Sequence, residues 1–138
     1  MKKVDDLLGP ALELAQMLQI DGKEGAIDRR VNSDISSFGT AIMQCGLIPA
    51  VAMFSNSNSD AGDRTVKMLN IILKLTDERI EVTDFEKGKH LLTYVLDILD
   101  TRNNAKLHDA QRNIMSACVA LKLAVRTFSL EEAADARS

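Results

Sequence analysis

Ionisable and nucleophilic side chains are present in this sequence, but their spacing fits no familiar catalytic or metal-binding arrangement. The two histidines, His90 and His108, have no neighbouring cluster of cysteine, histidine or carboxylate at metal-ligand spacing. Glu86 stands four residues before His90 on one predicted helix, but no second pair accompanies it, so a surface contact explains it better. The paired carboxylates Asp97 and Asp100 are better explained by solvation on an exposed face than by acid–base catalysis.

The larger catalytic motifs are absent too. The sequence contains no glycine-rich phosphate loop, no HExxH pair and no nucleophile elbow. We therefore predict no catalytic residue, no metal site and no cofactor, and we expect a protein that is not an enzyme.

A row of basic side chains is the strongest binding pattern. On the last predicted helix, the face opposite the apolar one carries His108, Arg112, Met115, Val119, Lys122 and Arg126. Such a one-signed row can line up with successive phosphates of a nucleic acid. Spacing alone favours an ordinary solvated helix face over this role. The apolar members, Met115 and Val119, are also compatible with a protein–protein contact.

Smaller basic groups occur elsewhere: Arg29 with Arg30, and Lys67 with Lys74. Against them stands the overall charge, because 17 Lys and Arg residues face 20 Asp and Glu residues and give a net charge of −3. A domain that holds naked nucleic acid by bulk electrostatics is usually basic. Any RNA contact must therefore come from a local stripe, within a larger assembly.

The hydrophobic pattern that positions these residues is helical throughout. Apolar residues recur every three or four positions, most regularly at Ile27, Val31, Ile35, Phe38, Ile42 and Cys45. We predict an all-α fold: a single domain over residues 1–138, built as a compact bundle of five to six helices. The predicted helices span residues 4–20 (or from about Gly9, with Pro10 in the first turn), 24–45, 46–54, 60–75, 83–100 and 105–129. A polar loop is predicted at residues 55–60, and the tail from Leu130 is expected to be a short helix or to fray.

Individual side chains are placed by the same periodicity. In the helix from residue 60 to 75, Lys67, Asn70 and Lys74 are predicted to lie outside. A capping box at residues 83–86 is expected to open the next helix, whose inner face would include Leu96 and Leu99. On the second predicted helix, Arg30 can form an ion pair with Asp34 at i,i+4.

The two cysteines and the apolar runs bear on the compartment. Cys45 and Cys118 are far apart and form no CxxC, which predicts two buried thiols in a reducing environment. No signal peptide follows the N-terminus, and no apolar run approaches the roughly 20 residues of a membrane span. We expect a cytoplasmic protein without a membrane partner.

Two segments carry a resemblance to a known family. The run from Cys45 to Phe54, CGLIPAVAMF, follows a long amphipathic helix, and AQRNIMSACVALKLAVR later supplies a closing helix with Lys122 and Arg126. In this order of elements the chain resembles the small helical subunit family of the type III-B CRISPR effector, the Cmr complex. The family often has an aromatic residue just before the Leu-Lys pair, where this chain has Ala120.

The resemblance implies a non-catalytic structural subunit. Such subunits stack in a few copies beside the guide RNA–target RNA duplex, contact the large subunit and the backbone subunits, and line the RNA path with basic residues. Lys122 and Arg126 carry over from the family pattern. Arg112 joins them from the basic row, and Arg29, Arg30, Lys67 and Lys74 complete the nucleic-acid-binding candidates.

Two alternatives belong to other functional classes. A helical adaptor or regulator that binds only protein would suit the mild acidity and the methionine on the last helix. It would assemble normally without the charges of Lys122 and Arg126. A free-standing DNA-binding regulator is disfavoured by the net charge and by the absence of a short recognition helix with clustered polar and basic residues.

Overall fold

Helices make up most of the chain in the computed structural model, which describes residues 3–55, 62–85 and 87–131. Within those residues lie six α-helices: α1 Val4–Ala15, α2 Arg29–Cys45, α3 Leu47–Ser55, α4 Gly62–Thr76, α5 His90–Asp100 and α6 Asn104–Val125. Two short strands, β1 Ala26–Asp28 and β2 Ser129–Glu131, accompany them, and a 3-10 turn over Gln16–Leu18 extends α1. The predicted all-α bundle of five to six helices is confirmed.

Helix α4 is buried on almost all sides. Every residue from Met68 to Leu73 is buried, and the helix contacts each of the other five. Only a narrow stripe of the helix, with the half-buried Lys67 and Lys74, stays partly open to water, and Asn70 does not lie on the open part of it. The prediction that Asn70 lies outside is therefore wrong, since Asn70 is only 1% exposed.

Asn70 instead holds the segment between α4 and α5. Its Nδ2 donates hydrogen bonds to the carbonyl oxygens of Phe85, at 3.3 Å, and Lys87, at 2.9 Å. The segment approaches α4 closely, because a Cβ added to Gly88 would lie 3.2 Å from Val66 Cγ2. These tertiary contacts replace helical hydrogen bonds in this stretch.

Helix α5 consequently begins later than predicted. It starts at His90 rather than at Thr83, after Lys89 in the left-handed conformation with φ +76°. Residue 86 of the predicted capping box lies outside the described residues.

The buried line of α5 also differs from the predicted one. Leu91 and Val95 face the core, whereas Leu96 and Leu99 are 40% and 42% exposed. The apolar stripe of α5 is wider than the face that its neighbours cover, so periodicity does not decide which half is buried. The prediction that Leu96 and Leu99 point inward is wrong.

Small side chains bring α1 and α6 together. Ala11 and Ala15 of α1 and Ala117, Ala120 and Ala124 of α6 are fully buried, and α1 packs more extensively on α6 than on any other described helix. Alanine lets two helix axes approach closely and loses almost no side-chain entropy. The buried alanines therefore allow α1 and α6 to pack closely against each other.

Helix α1 is continuous across its proline. It begins at Val4, not near Gly9, so Pro10 lies in its interior. The proline has no N–H to give to the carbonyl of Asp6, which costs the helix one hydrogen bond. Asp5 and Asp6 in the first turn offset part of that cost, because carboxylates are favourable at the positive end of the helix dipole.

The two strands join the segment before α2 to the segment after α6, the two longest of the described helices. Strand β1 pairs in parallel with β2, in the register Ala26–Ser129, Ile27–Leu130 and Asp28–Glu131. Residues 24–28 and 126–129, predicted as helix, are therefore not helical. The left-handed φ of +80° at Gly25, whose carbonyl accepts from Ser129 N at 2.9 Å, ends any helix there.

Helices α2 and α3 meet at a sharp, glycine-dependent turn. Gly46 has φ +94°, a conformation that disfavours a side chain. Directly after it, α3 forms the short helix predicted for residues 46–54, but it is buried on one side only, since Ala50 and Val51 lie in the core whereas Met53 is 58% exposed. Its Phe54 packs edge-on against the fully buried Phe38 of α2, with ring centroids 5.2 Å apart. An aromatic pair in this geometry adds about 0.5–1.5 kcal/mol beyond area burial.

Two further predictions concern the polar loop at residues 55–60 and the tail from Leu130. Residues 56–60 of the predicted polar loop and residues 132–138 of the tail lie outside the described residues, whereas Leu130 and Glu131 belong to β2. In the part of the chain that is described, no helix has the length and apolar character that crossing a membrane requires.

Replacing Asn70 tests the link between α4 and the segment that precedes α5. We expect Asn70→Leu to lower the free energy of unfolding by about 1–3 kcal/mol, because two backbone carbonyls lose their donor. Urea denaturation followed by circular dichroism measures the change. Thr93→Ala on the exposed face of α5 serves as the control. Equal stability of Asn70→Leu and the native protein would contradict this role.

Replacing Gly39, inside α2, and Gly46, just after it, should change the stability of the protein in opposite directions. Gly39 lies inside the helix, and a Cβ added there meets no atom within 4 Å, so Gly39→Ala should stabilise the protein by about 0.5–1 kcal/mol. Gly46→Ala forces a side chain into a left-handed conformation and should destabilise by about 1–3 kcal/mol. Thermal unfolding of the two variants checks the order; a lower Tm for Gly39→Ala than for the native protein would refute it.

Candidate functional site

A groove with a volume of about 410 Å³ runs between α2 and α6. Its described lining residues are Ile35, Ser36, Gly39, Thr40, Met43 and Gln44 from α2, and Met115, Cys118, Val119 and Lys122 from α6. The parallel β1–β2 pair places the start of α2 beside the end of α6.

The α6 wall is the basic row predicted from the sequence. Met115, Val119 and Lys122 of that row line the groove, and Arg112 and Arg126 lie one turn beyond its two ends on the same helix face. With a rise of 1.5 Å per residue, Arg112 and Arg126 are about 21 Å apart along α6.

The cations of this wall are available to a ligand. Arg112 and Arg126 are exposed and Lys122 is half-buried. Among the residues that the structure describes, none forms an ion pair with any of the three. Lys122 is also the sole charged residue among those lining the groove within the described ranges. The wall thus presents positive charge that no described carboxylate neutralises.

The apolar side chains that line the groove, called here its floor, are Ile35 and Met43 of α2 and Met115, Cys118 and Val119 of α6. This floor is partly open to solvent. Met43 is 72% exposed and Val119 is 45% exposed, so both are accessible to a ligand. Gly39 leaves open space above α2, since a Cβ there would meet nothing within 4 Å. Sequence periodicity found Met115 and Val119 of this floor, but not Gly39 and Met43.

The α2 wall carries a row of uncharged polar groups that sequence analysis missed. Ser36, Thr40 and Gln44 follow one another at intervals of four residues and all line the groove. The Ser36 hydroxyl donates to the Asn32 carbonyl at 3.2 Å and keeps its oxygen as an acceptor. The regular spacing was the available signal, but it indicates only a common face, not what lies opposite.

The predicted basic pair at the start of α2 lies near the same end of the groove as Arg126. Arg29 is exposed, and its Nη2 lies 3.5 Å from the Leu130 carbonyl of β2. Arg30 forms an ion pair with Asp28, at 2.7 Å between Nη2 and Oδ2. Side-chain hydrogen bonds from Arg30 lower the pKa of Asp28, although burial of the carboxyl acts in the opposite direction.

Asp28 also caps α2, because its Oδ1 accepts from Arg30 N at 2.9 Å. The sequence predicted Asp34 as the partner of Arg30. In the structure Asp34 pairs with Arg64 of α4, at 2.6 Å between Oδ2 and Nε. Arg64 is thirty positions away in sequence, so helix periodicity could not identify this contact.

The remaining candidates, Lys67 and Lys74, lie on α4 and do not line the groove. Both are half-buried. Lys74 lines a different pocket between α1 and α4, and its Nζ donates to the carbonyls of Glu78 and Ile80, each at 3.1 Å. The structure therefore brings Arg112, Lys122, Arg126 and the Arg29–Arg30 pair to one side, and leaves Lys74 elsewhere.

Metal or nucleophile chemistry has little support in this geometry. Over the described ranges, no group of three or more His, Cys, Asp or Glu side chains converges as a metal site would require. Cys118 lies in the groove floor, but its side chain is buried, and desolvation raises its pKa to about 12. A thiol at such a pKa is protonated and unreactive near neutral pH.

The two thiols should differ in reactivity. The prediction that both are buried is wrong for Cys45, which is exposed at the end of α2. We expect a disulfide reagent such as Ellman's to modify Cys45 rapidly at pH 8, while Cys118 reacts only after denaturation because its thiolate is scarce and its sulfur is covered. Cys45→Ser is the control and should remove the fast phase; rapid release of two equivalents from the native protein would contradict the assignment.

Comparison with known proteins adds no further constraint on what the groove binds. No family model, curated protein or solved structure matches the chain. The functional conclusion therefore depends on the geometry of the α2–α6 groove and on its charges.

Proposed function

We propose that this chain is a non-catalytic small subunit of an RNA-guided effector of the type III-B CRISPR kind. Its role is to contact the backbone of the guide RNA–target RNA duplex through the basic row of α6. The observation that carries the proposal is that Arg112, Lys122 and Arg126 border an open groove with no described ion-pair partner.

The geometry of the row suits a sugar–phosphate backbone. Three cations spread over about 21 Å of one helix face can meet several successive phosphates of a strand. Each contact releases counterions, so the binding depends on local charge rather than on the net charge of the domain. Arg29 at the neighbouring end of α2 extends the positive surface toward the strand pair.

The net charge of −3 limits affinity for RNA outside an assembly. In the proposed effector, the large subunit and the backbone subunits hold the duplex, and further copies of this chain lie along it in the cytoplasm. The chain itself cuts nothing. These roles are consistent with a domain whose net charge is negative but which carries a local row of cations on α6.

The order of elements around Gly46 gives additional support to the family resemblance. A long amphipathic helix, a Gly-Leu pair at a left-handed turn and a short helix occur in the expected sequence, as α2, Gly46-Leu47 and α3. This order of elements supports the proposal only weakly, and the proposed role depends on the charges of α6.

A second candidate is a helical adaptor that binds only protein. The observation that favours it is the exposure of large apolar side chains, with Met43 at 72% in the groove and Leu96 and Leu99 on α5. Exposed apolar surface of this kind commonly marks a protein contact.

Charge removal on α6 separates the two candidates. In the double variant Lys122→Gln with Arg126→Gln, the slope of log affinity for duplex RNA against log salt should become shallower by roughly 1.5. Tagged protein from the native host should then recover much less guide RNA. The matched control, Lys89→Gln with Lys106→Gln, removes two exposed lysines and reaches the same net charge, and it should behave like the native protein.

The alternative predicts the opposite result. If the native protein recovers protein partners without short guide RNAs, or if both double variants lose RNA equally, the effector proposal fails. The helical adaptor would then be the better description.

A further inference from the structure

We propose that the α2–α6 groove binds unpaired nucleobases of single-stranded RNA. The inference rests on the proposed function and extends it from the paired region, where that function requires only contacts to the phosphate backbone, to unpaired nucleotides of the same guide or target RNA. It gives a role to the apolar floor and to the α2 wall, which a contact between the cations of α6 and a phosphate backbone does not use.

The floor offers surface for the flat face of a base. Met43 and Met115 present thioethers and Val119 presents a branched aliphatic side chain, all in one open groove. Methionine sulfur makes favourable contacts with aromatic rings, and its flexible side chain adapts to rings of different size. The volume of about 410 Å³ falls within the range of small-ligand sites, which is about 300–1,000 Å³.

The α2 wall offers hydrogen bonds to the edge of a base. The hydroxyls of Ser36 and Thr40 and the amide of Gln44 provide both donors and acceptors along one line. Single-stranded RNA is read through such contacts to exposed base edges. A docked protein helix has its backbone groups already paired and would leave Thr40 and Gln44 without partners, at a desolvation cost.

The cations lie where the flanking phosphates would be. Lys122 and Arg126 are at one end of the groove and Arg112 is beyond the other, so a strand along the groove has positive charge on both sides of the enclosed base. Bases in a duplex are stacked and paired and cannot enter a groove of this kind. The site therefore selects unpaired nucleotides, whereas the basic row alone does not.

Binding of three RNAs to the full chain tests the proposal. Fluorescence anisotropy compares a labelled single strand of about twelve nucleotides, a strand of the same length without bases, and a duplex. We expect the native protein to bind the single strand about tenfold more tightly than the abasic strand, the scale of one base-stacking contact. The salt dependence should be similar for both single strands, since their phosphates are the same.

Filling the groove should remove this preference. Gly39→Leu places a side chain in open space inside the groove, and its matched control Gly9→Leu adds the same side chain to an open position of α1. We expect Gly39→Leu to bind the single strand and the abasic strand equally, and Gly9→Leu to keep the tenfold preference. Thermal unfolding of both variants verifies that they fold.

Other outcomes overturn the proposal at distinct levels. Equal affinity of the native protein for all three RNAs refutes base binding and leaves the proposed backbone contact intact. Absence of binding to any RNA, including within the complex recovered from the host, refutes both. If Gly39→Leu loses a protein partner while its RNA preference is unchanged, the groove is a protein-docking site instead.

Discussion

Burial of α4 on nearly all sides organises the other five helices, which pack around it. A helix in which every residue from Met68 to Leu73 is buried, five of the six apolar, gains roughly 1.5–3 kcal/mol for each large apolar side chain withdrawn from water, but only if neighbours surround it. The other five helices supply that cover. Enclosure also means that a polar side chain on α4 must find a partner within the protein. Asn70 does so by binding the carbonyls of Phe85 and Lys87, which sets where α5 begins.

The candidate site is a consequence of how α6 divides its surface. Its alanines face α1 and the core, and their small size lets these helices pack closely. The opposite face carries Arg112, Lys122 and Arg126, and Lys122 lines the groove with α2, where Gly39 lacks a side chain and leaves space. One helix therefore serves the core and borders an open groove. Local positive charge can then coexist with an acidic protein, because the groove itself has no described carboxylate lining.

Periodicity predicted the parts of the fold in which neighbours in sequence share one face. The spacing of Val31, Ile35, Phe38 and Ile42 identified the buried side of α2, and all four are in the core. It failed where contacts over long sequence distances prevail over local preference. The pairing of β1 with β2 joins segments about a hundred residues apart, and it limits where α2 begins and where α6 ends. On α5, the apolar stripe is wider than the surface that neighbouring helices cover, so Leu96 is exposed. No local rule in the sequence selects which side of the stripe is buried.

For the site, the row of charges on one face of α6 follows from the sequence, because residues three and four apart on a helix share a side whatever surrounds them. The break at Gly46 between a long and a short helix follows from it as well. The positions of Ser36, Thr40 and Gln44 opposite that row, and of Lys74 away from it, come from the packing of the helices. Helix periodicity orients a side chain about the axis of its own helix, whereas the partner across a groove depends on how separate helices pack.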